Sequence, residues 1–148
     1  DREPEDAARE AFESGVAHGE VAVPEDPGLR KNLLDALTWF AKLPQSRHWL
    51  LDGLPEQPIM NENGKLLRMD NMVREPWGTL IIDYKSGGIY PTHIVQVQEY
   101  INCLSQCMGF EGKIYGLLIY LDEKCFRLVE AGKAHDPIDE IPQELVGA

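Results

Sequence analysis

The stretch GKLLRMDNMVREPWGTLIIDYKSGG, Gly64 to Gly88, decides how this chain is read. Its apolar pattern predicts two strands, KLLRMDNMV and TLIIDYK, joined through the short turn REPWG. The second strand ends oddly: the apolar run TLIID closes on Asp83, and Lys85 follows two residues later. Side chains alternate across a strand, so Asp83 and Lys85 share one face and Tyr84 takes the other. With Glu75 to Gly78 as the tip of the hairpin, counting back along both strands sets Asp70 across from Asp83. Their Cβ atoms would then lie about 4.5–5.5 Å apart. Two carboxylates at that distance want a shared proton or a cation. A hard divalent cation suits them, because Mg²⁺ takes one or two carboxylates and keeps several waters. Beside it, Lys85 can orient or deprotonate a water, or offset charge growing on a phosphate. A register slip of one residue would put the acids on opposite faces. A lone D-x-K is also the pattern of a strand that ends in an ordinary edge ion pair.

Outward from this hairpin, NENG (Asn61 to Gly64) is a hairpin-type turn back to an earlier strand, EQPIM. Downstream, THIVQVQEYINCLSQCMG predicts a helix with Thr92 as N-cap and Gly109 just past its end. Ile94, Val97, Ile101, Leu104 and Met108 form its expected core stripe. Gln96, Tyr100, Cys103 and Cys107 lie on the adjacent face, with His93 between the two. Gln96 and Tyr100 are neighbours at i, i+4. By themselves they read as a boundary polar pair; beside an acidic site they can hold a phosphate or fix the lysine. KIYGLLIYL is the next strand and CFRLVE a candidate fifth. Upstream, PEDAAREAFESGV predicts a charged helix ended near Gly15. LRKNLLDALTWFAKL predicts an amphipathic one with Leu29, Leu33, Leu37, Phe40 and Ala41 on one face. PQSRHWLLDGLP reads as a loop-like connection. After Glu130 a loose tail or a docking segment is expected. The element order gives an α/β or α+β sheet with helices packed on it.

A length of 148 residues suits one domain with one core. No apolar run approaches the roughly 20 residues of a membrane span, so no membrane partner is expected. The net charge of -11 argues at first against nucleic acid. Its distribution alters that reading. Residues 1–26 hold nine acids and two bases, and residues 130–148 hold five acids and one base. Residues 27–129 are neutral, with eleven of each, and neither support nor exclude DNA. Cys103, Cys107 and Cys125 make an odd count with no secretory segment, which suggests a reducing compartment, and a cytoplasmic location is expected. They read as small buried thiols.

RMDNMV, LIIDYKSG, HIVQVQEY and KIYGLLIYL, in that order, resemble the RecB-like nuclease domain of the PD-(D/E)XK superfamily. The form most similar is the one at the C-terminus of UvrD/Rep-type helicases. The resemblance spans about Glu56 to Glu130. It implies an α/β, restriction-endonuclease-like core with a central mixed β-sheet flanked by helices. Residues 51–130 would be this nuclease core, residues 1–50 a helical N-terminal segment, and residues 131–148 a polar C-terminal tail. It implies a Mg²⁺-dependent deoxyribonuclease, with Mn²⁺ an alternative ion. As an exonuclease it would act on DNA, at single-stranded ends, within an ATP-dependent helicase-nuclease of DNA repair or recombination. Its partners would be DNA and the helicase domains of the same parent. By position, Asp70 and Asp83 resemble the metal-binding acids and Lys85 the catalytic lysine. Gln96 and Tyr100 resemble the helix motif that supports the site, and Glu56 a further ligand or supporting group.

One family feature has no match, a metal-binding His on an upstream helix after a Gly. His18, in SGVAHGEV, has the wrong spacing and no apolar helix behind it. The expectation is that this His precedes Asp1 and that the chain is a fragment. His18 and His48 read as surface or packing residues. The alternative reading is a non-catalytic DNA-binding or docking module of such a helicase. Stand-alone nucleases of CRISPR adaptation systems usually carry four cluster-binding cysteines, and this chain has three.

Overall fold

A computed structural model describes residues 27–146. The predicted helix at PEDAAREAFESGV and His18 lie outside the described residues. The fold is α/β: a mixed six-stranded sheet with helices on both faces. In chain order the elements are α1 (Pro27–Ala41), α2 (Ser46–Asp52), β1 (Leu54–Met60), β2 (Leu66–Glu75), β3 (Gly78–Lys85), α3 (Pro91–Ser105), β4 (Lys113–Tyr120), β5 (Cys125–Glu130) and β6 (Lys133–Ala134). The strands lie side by side in that same order. All neighbours are antiparallel except β3 and β4, which run parallel with α3 as their crossover.

Strand alternation divides the core into two layers. Leu80, Ile82, Tyr84, Leu117, Ile119 and Phe126 point to the side covered by Leu37 and Phe40 of α1 and Trp49 of α2. Ile81, Leu118, Tyr120 and Val129 point to the side covered by Val97, Tyr100, Ile101 and Leu104 of α3. Strands buried on both faces read as near-continuous apolar runs, as TLII and LLIY do. No helix among the described residues is long and apolar enough to cross a membrane.

The β2–β3 hairpin has the expected register, pairing Glu75 with Gly78 and continuing to Asn71 with Ile82. The NENG turn is built by Asn61, whose Oδ1 accepts the N–H groups of Asn63 (3.0 Å) and Lys65 (2.9 Å). Gly64 completes it at φ +80°, a conformation that favours glycine.

Several expectations need correction. The loop expected over PQSRHWLLDGLP contains helix α2. Seven residues are too few to show a period, and the helix is held by tertiary contacts instead. Trp49 stacks on Phe40 with ring centroids 6.4 Å apart. The Ser46 hydroxyl lies within hydrogen-bonding reach of the carbonyls of Ala41 (3.0 Å) and Leu43 (2.9 Å) at the end of α1. In α3, Thr92 is not the N-cap: Tyr90 holds that position without a side-chain bond, and Pro91 opens the helix. The helix stops at Ser105 rather than near Gly109. Met108 therefore leaves the core stripe and is 96% exposed. Cys107 is exposed too, and only Cys103 is a buried thiol. Of the two alternatives for the residues beyond Glu130, the docking segment is the one observed: β6 extends the sheet, Ile138 bridges to Phe126, and Leu145 packs among the α1-side residues.

Two contacts set the spacing of the layers. A Cβ placed on Gly116 of β4 would lie 2.2 Å from Val97 Cγ1, so α3 rests on the bare backbone there. On the other side, His48 of α2 joins Asp52 at 2.7 Å and Glu75 at 2.5 Å. The Glu75 hydrogen bond, assisted by Asp52, raises the His48 pKa against the opposing effect of burial. A Gly116→Ala change should cost about 1–3 kcal/mol in urea unfolding, the range for overpacking. Adding Val97→Ala should recover part of that loss. A group whose folded pKa is raised contributes stability that is complete below its ordinary value of 6.5 and lost as pH rises through the folded value. The stability gap between the native chain and His48→Gln should therefore be widest below pH 6.5 and shrink as pH rises above it. On the scale of exposed ion pairs it should stay within about 1 kcal/mol.

Candidate active site

The parallel pair β3–β4 ends beside the N-terminal half of α3, and the predicted site residues lie around that point. Asp83 is on the α3 side of β3, two residues after Ile81, and is 0% exposed. A carboxylate in that position needs a cation close by. Lys85, next on the same face and 8% exposed, places Nζ 3.0 Å from Asp83 Oδ2. The same ammonium donates to Gln96 Oε1 at 2.8 Å. One lysine thus links the strand acid to the helix amide. An ammonium has three donors to place, and Asp83 and Gln96 take up two of their directions.

Asp70 is arranged differently from the simple facing pair. Regular β2–β3 pairing runs from Glu75 to Asn71, and the row of Asp70 and Asp83 comes next. Here the Tyr84 N–H donates to Asp70 Oδ2 at 2.9 Å. The carboxylate stands in for a ladder carbonyl. Met69 and Met72 both pack on the α3 side although they are three residues apart, so β2 shifts phase between them. The shift falls on Asp70 and Asn71. Asn71 faces the other layer, where its Nδ2 donates to the Trp49 carbonyl at 2.8 Å. Burial first, and the Asp70 charge second, push the Tyr84 phenol well up, so it is neutral at physiological pH.

Glu56 belongs to the same transverse row. On β1, Pro55 pairs with Asn71 and Gln57 with Met69, which leaves Glu56 level with Asp70. Its backbone is left-handed, at φ +58°, and the residue is exposed. A non-glycine residue there carries strain of order 1–3 kcal/mol. Among the described residues, no group of three or more His, Cys, Asp or Glu side chains is placed to hold a metal ion. Tyr100 is buried, and its hydroxyl donates to the Arg68 carbonyl at 2.9 Å, two residues before Asp70. It fastens α3 to β2 close to the phase shift.

The structure therefore brings Asp83, Lys85 and Gln96 into one bonded chain. It holds Asp70 and Tyr100 to the neighbouring backbone, and leaves Glu56 at the rim. Two features escaped sequence reasoning. One is the Asn71–Trp49 bond, signalled only by a polar residue in an apolar strand phase. The other is an aromatic ridge, in which Tyr120, paired beside Lys85, leads through His93 to Tyr90. His48, bound to Asp52 and Glu75, is a packing histidine away from this point.

No family model and no curated protein matches the chain. The crystal structure of SSO0001 is a solved structure to which it is similar, at 14% identity over 96% of this chain and 80% of that chain, with a TM-score of 0.32. A likeness at that level carries no argument about either fold or function.

Removing one member of a buried ion pair leaves the other without its counter-charge. A Lys85→Met change should therefore cost about 3–5 kcal/mol in chemical unfolding. Combining it with Asp83→Asn should cost less than the two single changes added together, and a double-mutant cycle measures the difference.

Proposed function

We propose that this chain is a metal-dependent deoxyribonuclease domain with a restriction-endonuclease-like core, of the RecB-like kind in the PD-(D/E)XK superfamily. The observation that carries the reading is the lysine of Asp83-Tyr84-Lys85, held between Asp83 and Gln96 at the end of a central strand. A lysine fixed on two sides presents its ammonium in one place, which positioned catalysis needs. The mixed sheet, the crossover helix and the order of the quoted motifs support the reading together.

The donors present fit a hard divalent cation in their chemistry. Asp70 and Asp83 offer carboxylate oxygens in adjoining strands, and Mg²⁺ needs only one or two of these beside water and phosphate. When bound, such an ion supplies charge neutralisation at a phosphate and acidifies a bound water. The chain's own residues do the rest. Lys85 offsets negative charge on a phosphodiester or holds a water in line with it. Gln96 orients Lys85. Tyr100 keeps α3 seated on β2 near Asp70. Glu56, at the exposed rim, is a further oxygen donor on the same row. The substrate would be single-stranded DNA ends fed by a helicase motor of the UvrD/Rep type, in repair or recombination, with Mn²⁺ as an alternative ion.

One observation favours a second reading, a DNA-binding or docking module without chemistry. Asp83 is fully enclosed with Lys85 against it, and the described residues offer no three-ligand group. End-labelled single-stranded DNA incubated with the full chain separates the two. Under the nuclease reading it should be cut in Mg²⁺ or Mn²⁺ and spared in EDTA. Asp83→Asn should lower the rate by about 10² or more, the scale of a positioned catalytic group, when assayed at a temperature where its unfolding curve shows the less stable variant still folded. Binding with no cleavage in either metal would decide for the second reading.

A further inference from the structure

The loop after Lys85 carries a feature that the nuclease reading does not use. Ser86 to Tyr90 joins β3 to α3 through Gly87 and Gly88, at φ +84° and +120°. The loop is tied down where the Gly87 N–H donates to Asp122 Oδ2 at 2.7 Å. Tyr90 follows, and its ring is pinned on three sides. Its hydroxyl donates to the Gly87 carbonyl at 3.2 Å. Its edge lies so close to Gly88 that a Cβ there would sit 3.3 Å from ring atoms. His93 meets it edge to face, with centroids 5.5 Å apart and planes at 87°. Even so, Tyr90 is 54% exposed. A large aromatic side chain held this firmly and left open to solvent has lost its rotamer freedom in advance, so stacking on it costs little ordering.

Its position relates it to the site. Tyr120 pairs with Lys85 across the parallel ladder and is buried. His93 Nδ1 lies 3.4 Å from the Tyr120 hydroxyl, with ring centroids 5.7 Å apart. The ridge Tyr120–His93–Tyr90 thus runs from beside Lys85 to the surface.

We propose that the Tyr90 ring is a nucleobase-stacking platform that seats one base of single-stranded DNA beside the Asp83–Lys85 site. The inference rests on the nuclease reading for the identity of the ligand. An unpaired base presents a free π-face, whereas a paired base hides it in the duplex stack. Stacking on one aromatic residue is worth about 1–3 kcal/mol per base, or roughly five- to 150-fold in affinity. It reads no sequence, so the platform grips any base.

The test is anisotropy of fluorescein-labelled oligo(dT) with the full chain in EDTA, beside an abasic strand of the same length and charge. Tyr90→Ala should weaken oligo(dT) binding about tenfold. Tyr90→Phe should keep most of it, and the abasic strand should bind the native chain and Tyr90→Ala alike. Thermal melting checks that both variants fold. Equal oligo(dT) binding by the native chain and Tyr90→Ala overturns the platform. So does an equal loss on the abasic strand, or no binding of single-stranded DNA by the native chain. Cleavage in Mg²⁺ is scored separately. A stacking difference without cleavage removes the nuclease reading and keeps the platform. Cleavage with an unchanged KM in Tyr90→Ala does the reverse.

Discussion

Asp83 and Lys85 are buried together beneath α3, and much of the molecule is arranged around that fact. A carboxylate in the middle of a sheet covered on both faces loses its hydration, and only a close cation offsets the loss. Lys85 is the nearest residue on the same face of the same strand, and its ammonium lies 3.0 Å away. That ammonium in turn needs a further acceptor, which α3 supplies through Gln96. For Gln96 to reach it, α3 must lie low on the sheet. Gly116 makes this possible, because a side chain there would collide with Val97. A glycine in β4, an amide in α3 and an ion pair in β3 are thus one mechanical unit.

The row of Glu56, Asp70 and Asp83 is where regular structure gives way. β1 turns left-handed at Glu56, β2 changes phase at Asp70 and Asn71, and the Asp70 carboxylate takes a backbone N–H of β3. Irregularities of this kind cost free energy and persist where the surroundings over-determine them. Here the surroundings are Tyr100, which ties α3 to the Arg68 carbonyl, and Asn71, which ties β2 to the carbonyl of Trp49. The two layers of the core hold the irregular row from opposite sides. A strand phase shift also lets one β-strand serve two different faces: Met69 and Met72 both go under α3, while Asn71 and Val73 go under α1 and α2.

The elements with a strong period were legible in the sequence. β2, β3, β4 and α3 follow from alternation, from doubly buried apolar runs and from a 3.6-residue stripe, and the hairpin register followed from the length of REPWG. The shared face of Asp83 and Lys85 followed from alternation alone. α2 was not legible, because its seven residues hold together only through Trp49 on Phe40 and Ser46 on the end of α1. The early end of α3 was equally hidden: Met108 fits the stripe, yet the helix stops before it reaches the core.

What the sequence by itself determined, then, was the order of strands and helices along the chain, a sheet with helices packed on it, and which charged residues could share a face. These depend on periods of two and 3.6 that are local properties of the chain. What only the tertiary structure decided was how those charges are satisfied. It decided that Lys85 bonds Gln96 eleven residues away, that Asp70 spends its carboxylate on the Tyr84 N–H, and that Tyr90 is fixed yet open to solvent. Each of these depends on distances between elements. Such distances are set by packing across the sheet, where a single missing Cβ at Gly116 counts for as much as any charge.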